Sequence, residues 1–141
     1  MIAPKFPDNE SKRLSAVKQY NLLDSLPDQD FDNITALASA ICDTPISLIT
    51  LMDFKRNYFK SHHGLPFNES PRDLSFCGHA IVEDSDIFIV EDTRKDERFH
   101  DNPLVDNFKA IFYVGVPLKT PEGLALGTLC VYDHKPRILN E

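Results

Sequence analysis

Two long apolar segments near the C-terminal end of the chain constrain its fold more than any other feature. Residues 110–118 and 124–132 are rich in β-forming side chains, and residues 119–123 between them include Pro-Glu-Gly. A short connection of this composition suits a tight turn between antiparallel strands. An earlier pair has a similar pattern, since residues 46–52 are apolar on both faces and residues 58–62 resume an extended pattern. The sequence therefore predicts an antiparallel sheet, with residues 46–52 as a central strand covered on both sides.

Helical patterns precede and interrupt these strands. From Glu10, a moderate apolar stripe predicts a helix whose basic residues face water: Lys12, Arg13 and Lys18. Asp28 is placed to cap a second, amphipathic helix that ends near Asp43 and has this apolar stripe: Phe31, Ile34, Leu37, Ala38 and Ile41. Ser75 is placed to cap a short third helix, which a strand at residues 87–90 follows. This order predicts an α+β fold, a central antiparallel β-sheet flanked by α-helices.

The size and charge of the chain exclude several classes of protein. Its 141 residues amount to one domain, and 15 basic against 22 acidic residues leave a formal net charge of −7. Because nucleic-acid binding depends on cations placed against phosphates, we expect no nucleic-acid partner. The apolar segments are too short for a membrane span, and the N-terminus lacks a signal-peptide core. Three widely spaced cysteines without a Cys-x-x-Cys motif favour reduced thiols in a cytoplasm.

The segment Ser75–His79 holds the richest set of reactive side chains. Cys77 and His79 lie two residues apart, and such a pair can form a reactive thiolate or bind a metal ion. Three histidines elsewhere are available to complete a metal set: His62, His63 and His100. On a helix, however, positions i and i+2 do not share a face, so core packing of Cys77 is the simpler interpretation. We therefore assign no catalytic residue and no metal ligand.

The other cysteines and the charged loops leave further alternatives open. Cys42 lies in a predicted helix and Cys130 in an apolar strand, and both are predicted to fill the core. Two charge pairs lie near loops that would close over one end of the sheet: Arg72 with Asp73, and Asp92 with Arg94. An arginine there can hold an anion, although solvated surface pairs are more common.

Several motifs occur in the same order as in a bacterial group of GAF domains. The segments that resemble this family are Ser11–Leu14, Tyr20–Asp24, Phe31–Asp32, Pro45–Asp53, Tyr58–Ser61, Pro71–Ile81, Asp101–Pro103, Phe112–Leu118 and Leu126–Asp133. Together they extend over most of the chain. The resemblance divides it into a leader at residues 1–9, a GAF domain at residues 10–133 and the truncated start of a C-terminal connector at residues 134–141.

The resemblance implies a non-catalytic sensory domain with a GAF-like sheet and a ligand pocket closed by loops on one side. Such a domain is the input module of a bacterial histidine kinase or of a cyclic-di-GMP enzyme. The implied partners are an unidentified small-molecule ligand, a covalently linked output domain and a second copy in a homodimer. The first helix and the missing C-terminal helix would form the dimer surface. The predicted pocket residues are Phe76, Cys77, His79, Asp92, Arg94, Phe99, Phe112 and Val114.

Departures from the patterns of known family members leave the cofactor unassigned. The signature of members that bind cyclic nucleotides has no counterpart here. Phytochrome-like members attach a bilin through a cysteine directly followed by histidine, whereas Gly78 separates Cys77 from His79. Free methionine-sulfoxide reductases use several cysteines, whereas residues 91–110 hold none to resolve a sulfenic acid. Two alternatives stay open: a thiol-dependent redox enzyme that uses Cys77, and a tetrapyrrole-binding photosensor.

Overall fold

One antiparallel sheet with helices on both faces makes up the part of the chain that the structure describes, residues 1–83 and 85–138. In this computed structural model the helices are α1 (Glu10–Gln19), α2 (Gln29–Cys42), α3 (Phe76–Ala80) and α4 (Pro103–Phe108). The strands are β1 (Ile46–Met52), β2 (Arg56–His63), β3 (Glu69–Pro71), β4 (Phe88–Val90), β5 (Phe112–Lys119) and β6 (Ala125–Asp133). The sheet order is β3-β2-β1-β6-β5-β4, which confirms the predicted α+β class. Residues 139–141 of the predicted connector lie outside the described residues.

The predicted central strand is confirmed. β1 pairs with β2 on one side and with β6 on the other, and all seven of its residues are buried. β5 and β6 form the predicted hairpin, whose turn contains Gly123 at a φ of 87°. Gly127 of β6 has no space for a side chain, since a Cβ there would lie 1.8 Å from the carbonyl oxygen of Thr50. β3 adds an edge strand beside β2.

Alternate residues of the strands point to two sides of the sheet. We call one side the aromatic face, because α3, α4 and their loops enclose aromatic rings there: Phe59, Phe76, Phe88, Phe99, Tyr113 and Tyr132. We call the other side the helical face, where α1 and α2 pack and a smaller core forms from Val17, Leu51 and Tyr58. None of the described helices is long and apolar enough to cross a membrane.

α1 buries a residue that the sequence places in water. Arg13 is 0% exposed, and its guanidinium donates to the carbonyl oxygen of Ala125 at 3.3 Å. The Glu10 carboxylate accepts from Arg13 at 2.9 Å and from Arg72, which is 3% exposed, at 2.7 Å. The prediction that Arg13 faces water is wrong, because α1 supplies the carboxylate that two buried arginines share. Lys12 and Lys18 are exposed as predicted.

α2 turns apolar side chains away from the sheet. We call these residues the α2 stripe: Ile34, Leu37 and Ile41, which are 46%, 59% and 73% exposed. Thr35 and Ser39 are buried instead, and the Thr35 hydroxyl lies 2.9 Å from the Ser61 hydroxyl of β2. These hydroxyls have hydrogen-bond partners, so their burial is not penalised. Cys42 is exposed at the end of the same helix, so the prediction that it fills the core is wrong.

Candidate functional site

The predicted pocket residues Phe76 and Phe99 lie at the centre of the aromatic face. Their rings stack with centroids 4.2 Å apart. Tyr113 and Tyr132 contact Phe76 with centroid distances of 5.2 and 5.4 Å. All four residues are fully or almost fully buried. Aromatic rings therefore fill the space between α3 and the sheet that the sequence assigns to a ligand.

Cys77 lies against a second buried cysteine. Its Sγ is 3.8 Å from the Sγ of Cys130 on β6. Thr128 and Tyr113 donate hydroxyl hydrogen bonds to the Cys77 sulfur at 3.1 and 3.4 Å. Burial alone raises the pKa of Cys77, but hydrogen bonds from Cys130, Thr128, Tyr113 and Thr50 outweigh burial and lower it. Burial and the neighbouring Cys77 raise the pKa of Cys130. The contact between Cys77 and Cys130 was not predicted, because it joins a helix to a strand that is distant in sequence.

His79 does not form a reactive pair with Cys77, because its imidazole is hydrogen-bonded elsewhere. The Ser75 side chain caps α3 as predicted, and the half-buried His79 lies at the surface of this short helix. Its Nε2 donates to the Ile2 carbonyl oxygen at 2.8 Å, and its ring meets Phe99 edge-on at 5.0 Å. Burial lowers the pKa of His79, and the bond to Ile2 acts in the opposite direction. Among the described residues, no group of three or more side chains is placed to hold a metal ion.

Asp92 and Arg94 lie at a short 3₁₀ helix, Thr93–Lys95. Asp92 accepts from the backbone N–H of Arg94 at 3.1 Å and pairs with its guanidinium at 2.9 Å. This guanidinium holds the pKa of Asp92 below its ordinary value. Asp92 and Arg137 line an open groove of about 720 Å³ beside β4. The charges of Asp92 and Arg94 therefore neutralise each other beside a surface groove.

Phe112 and Val114 point to the opposite side of β5 from Tyr113, since alternate strand residues face opposite ways. Phe112 is 1% exposed, and the Arg137 guanidinium lies 5.9 Å from its ring centroid on the helical face. Val114 pairs with Val131 of β6 on the same side. The eight predicted pocket residues therefore divide among the aromatic core, the surface of α3, the groove beside β4 and the helical face.

A recess of about 250 Å³ opens at the edge of the aromatic face, between β3 and α4. Its lining includes Phe67, Leu74, Asn102, Pro103, Leu104 and Phe108. Asn102 is 1% exposed, accepts from Leu104 N at 2.8 Å and donates to the Leu74 carbonyl oxygen at 2.7 Å. None of the eight pocket residues predicted from the sequence lines this recess. The Asn102-Pro103 pair was its available signal, because these residue types favour the start of a helix.

The leader, residues 1–9, lies along the outer side of α3. The Ile2 N–H donates to the Arg98 carbonyl oxygen at 3.1 Å. Pro4 packs on Gly78, where a Cβ would lie 2.6 Å from the proline ring. Phe6 lies over the Arg72 guanidinium at 4.3 Å. The leader is therefore attached to the same short helix that holds Cys77.

Comparison with known sequences identifies relatives over nearly the whole chain. A family model, described as GAF domain, matches residues 27–141. The cyclic di-GMP phosphodiesterase PA2567 of Pseudomonas aeruginosa is 43% identical over 138 residues. These residues make up 97% of this chain and 23% of that relative, so the chain spans about a quarter of the relative's length.

Solved structures share the fold at low sequence identity. The GAF domain from an Acinetobacter phosphoenolpyruvate-protein phosphotransferase superposes with a TM-score of 0.62 at 21% identity, covering 93% of this chain and 80% of that one. A free methionine-R-sulfoxide reductase from Neisseria meningitidis superposes with a TM-score of 0.63 at 17% identity, covering 99% of this chain and 85% of that one. Such identities establish the fold alone. The family match over residues 27–141 and the shared antiparallel sheet agree, and the chain belongs to the GAF domain family.

Proposed function

We propose that this regulatory domain is the sensory input module of a bacterial protein that turns over cyclic di-GMP. The supporting observation is its 43% identity, over 97% of the chain, to a cyclic di-GMP phosphodiesterase. Because the match covers 23% of that relative, we assign the catalysis to another part of the full protein. The relative favours a cyclic-di-GMP enzyme over a histidine kinase as the output. The three free cysteines support a cytoplasmic location.

The recess between β3 and α4 is the proposed binding site for a small molecule. Its volume of about 250 Å³ lies just below the usual range of ligand pockets, and its apolar lining favours a small planar ring. Phe67 and Phe108 meet edge-on there at 5.3 Å. Asn102 ties α4 to Leu74, which directly precedes the α3 cap. A ligand that moves α4 would therefore shift the position of α3 as well.

A chimeric enzyme tests this proposal. This chain replaces the aligned segment of the Pseudomonas phosphodiesterase, and hydrolysis of cyclic di-GMP is measured. Leu104→Trp fills the recess as a ligand would, whereas Leu26→Trp adds the same ring at a position that is 86% exposed. We expect the L104W chimera to differ from its parent by about 5-fold in rate, a typical allosteric coupling. The L26W chimera should match its parent.

Circular dichroism establishes that each chimera is folded. Equal rates in folded L104W and L26W chimeras would contradict the assignment of the recess. Hydrolysis of cyclic di-GMP by the isolated chain would contradict the assignment of a non-catalytic input role.

The two alternatives that the sequence left open have less support. Cys77 is 0% exposed and its sulfur contacts the Tyr113 and Thr128 hydroxyls, so a bilin or a sulfoxide substrate would have to displace buried side chains to reach it. The likeness to the Neisseria reductase, at 17% identity, concerns the fold. Visible absorbance of the purified protein tests for a pigment, and turnover of free methionine sulfoxide tests for a reductase.

We further propose that two copies of the domain associate through the α2 stripe, because its apolar side chains are exposed, rather than through the first helix and a C-terminal helix as expected from the sequence. Antiparallel pairing about Leu37 would bury the stripe of each copy against that of the other. It would also bring the acidic first turn of one α2, with Asp30 and Asp32, near Arg137 of the second copy. Arg137 lies at the C-terminal end of α2, where it donates to the Cys42 carbonyl oxygen at 2.6 Å and pairs with Asp133 of its own chain at 2.5 Å, so it would be shared with the second copy. The contact would thus combine an apolar centre with opposite charges at both ends.

Sedimentation tests the dimer. Leu37→Glu places a charge at the centre of the proposed contact and should convert the dimer to a monomer. Leu26→Glu introduces the same charge at an exposed position outside α2 and should leave the dimer intact. A wild-type chain that sediments as a monomer at micromolar concentration would refute this contact.

A further inference from the structure

Two buried thiols and three hydroxyl groups meet where α3 packs on the sheet. Cys77 on α3 and Cys130 on β6 are 53 positions apart, and their sulfur atoms are separated by 3.8 Å. Thr128 and Tyr113 direct their hydroxyls at the Cys77 sulfur, at 3.1 and 3.4 Å. The Thr50 hydroxyl lies 3.0 Å from that of Thr128 and extends the network. We call these five residues the thiol cluster.

Core packing alone does not explain the polar content of this cluster. A cysteine that acts as a small apolar side chain needs apolar neighbours, and a buried hydroxyl left without a partner costs about 1–3 kcal/mol. Here two hydroxyls donate to Cys77, and donated hydrogen bonds stabilise a thiolate. Cys130, whose pKa burial raises, faces that sulfur as a protonated thiol. The arrangement is that of a nucleophilic sulfur beside a resolving thiol.

We propose that Cys77 and Cys130 form a reversible disulfide within the domain when a hydroperoxide oxidises Cys77. The Cys77 thiolate attacks a peroxide oxygen, so that an S–O bond forms, the O–O bond breaks and the leaving hydroxide takes up a proton. The Cys130 sulfur then attacks the sulfenic sulfur, an S–S bond forms and the hydroxyl leaves as water with the Cys130 proton. Two thiols and one hydrogen peroxide thus yield a disulfide and two waters.

The disulfide would move α3 rather than β6. An S–S bond is about 2.05 Å long, so the present separation of 3.8 Å must shorten. β6 is paired along its length with β1 and β5, whereas α3 has five residues. The leader lies on α3 through Pro4 and Ile2, and would shift with it. The role of this disulfide as a second input to the sensory module rests on the proposed function. The formation of the disulfide does not.

Local opening of α3 would admit the oxidant. Cys77 and Cys130 are 0% and 2% exposed, so a reagent reaches them only when the covering segment moves. α3 is short and lies beside loops, but four of its five residues are buried, so it opens rarely. Hydrogen peroxide is close to water in size and needs only a small opening. We therefore expect slow oxidation by hydrogen peroxide.

The test uses the Cys42→Ser chain, in which Cys77 and Cys130 are the two remaining cysteines and the changed residue is exposed. The folded protein is treated with hydrogen peroxide, then unfolded, alkylated and weighed by mass spectrometry. We expect a loss of about 2 Da and of both alkylation sites, with both sites restored by dithiothreitol. A protease digest should contain a peptide pair joined through these two cysteines.

The matched control is Cys42→Ser with Cys130→Ser, or with Cys130→Ala where serine prevents folding. Without the resolving thiol, Cys77 should stop at the sulfenic acid, a gain of about 16 Da that dimedone traps. Two alkylatable thiols in the folded Cys42→Ser chain after peroxide treatment would overturn the proposal, and so would a bond between chains instead of within one. Failure of the phosphodiesterase chimera would not alter this result, so the two proposals can fail separately.

Discussion

Removing the charge of Glu10 should weaken the attachment of α1 to the rest of the domain. Both oxygens of this carboxylate are occupied, by Arg13 at 2.9 and 3.1 Å and by Arg72 at 2.7 and 3.0 Å. Glu10→Gln keeps one acceptor oxygen and replaces the other by an amide that donates. That amide would face guanidinium N–H groups, so two buried arginines would lose their shared counter-charge.

The expected cost in free energy of unfolding is about 2–3 kcal/mol. Breaking a fully buried ion pair by removing one partner costs roughly 3–5 kcal/mol, because a buried charge is left unpaired. Arg13 is 0% exposed, but the Glu10 side chain is 16% exposed, so we expect a cost below that of a fully buried pair. Urea denaturation at pH 7 measures the difference. Glu97→Gln, at an exposed position, is the matched control and should change stability by less than about 0.5 kcal/mol.

The pH dependence gives a second readout of the same contact. Burial raises the pKa of Glu10, but hydrogen bonds from Arg72 and Arg13 outweigh burial and hold it below its ordinary value of 4.5. A carboxylate with a lowered folded-state pKa stabilises the fold above its ordinary pKa, and this stabilisation is lost as pH falls through the lowered value. The difference in free energy of unfolding between wild type and E10Q should therefore become smaller as the pH falls. A gap below about 0.5 kcal/mol at pH 7, or one that widens as the pH falls, would refute the reasoning.

Three further substitutions test the packing. Phe76→Ala should lower the free energy of unfolding by about 3–5 kcal/mol, against less than about 1 kcal/mol for Phe54→Ala at a 53% exposed ring, and equal values would contradict the aromatic core. Gly127→Ala should lower the free energy of unfolding by about 3 kcal/mol or more, since its Cβ would lie 1.8 Å from the Thr50 carbonyl oxygen. Thermal denaturation measures this, and an unchanged melting temperature would contradict the close packing of β6 on β1 at Gly127. Asn102→Ala should cost about 1–3 kcal/mol and speed hydrogen exchange in α4, because it removes the cap, and unchanged exchange would argue against that role.

Much of the fold was predictable because its signals are local. The central strand follows from a single apolar run at residues 46–52, and the final hairpin from two apolar runs and a turn within residues 110–132. The caps at Asp28 and Ser75 depend on side chains two or three positions from the N–H groups that they accept from. Such interactions belong to neighbouring residues, so an isolated sequence contains them.

The candidate site was only partly predictable. Phe76, Cys77 and Phe99 do share the aromatic core. Phe112 and Val114 lie on the other face, as the two-residue period of a strand requires once Tyr113 faces inward. The two-residue period shows that Tyr113 faces the opposite side from Phe112 and Val114. Only the packing decides that Tyr113, and not the other two, faces α3.

The sequence by itself determined that this chain forms an α+β domain with GAF-like motifs in order, because strand periods, turns and caps arise from residues close together along the chain. The tertiary structure alone decided that Arg13 is buried, that the α2 stripe faces outward and that Cys77 meets Cys130. Periodicity shows that an element has two different faces. Which neighbour covers each face depends on contacts between residues far apart in sequence, and these exist only once the chain has packed.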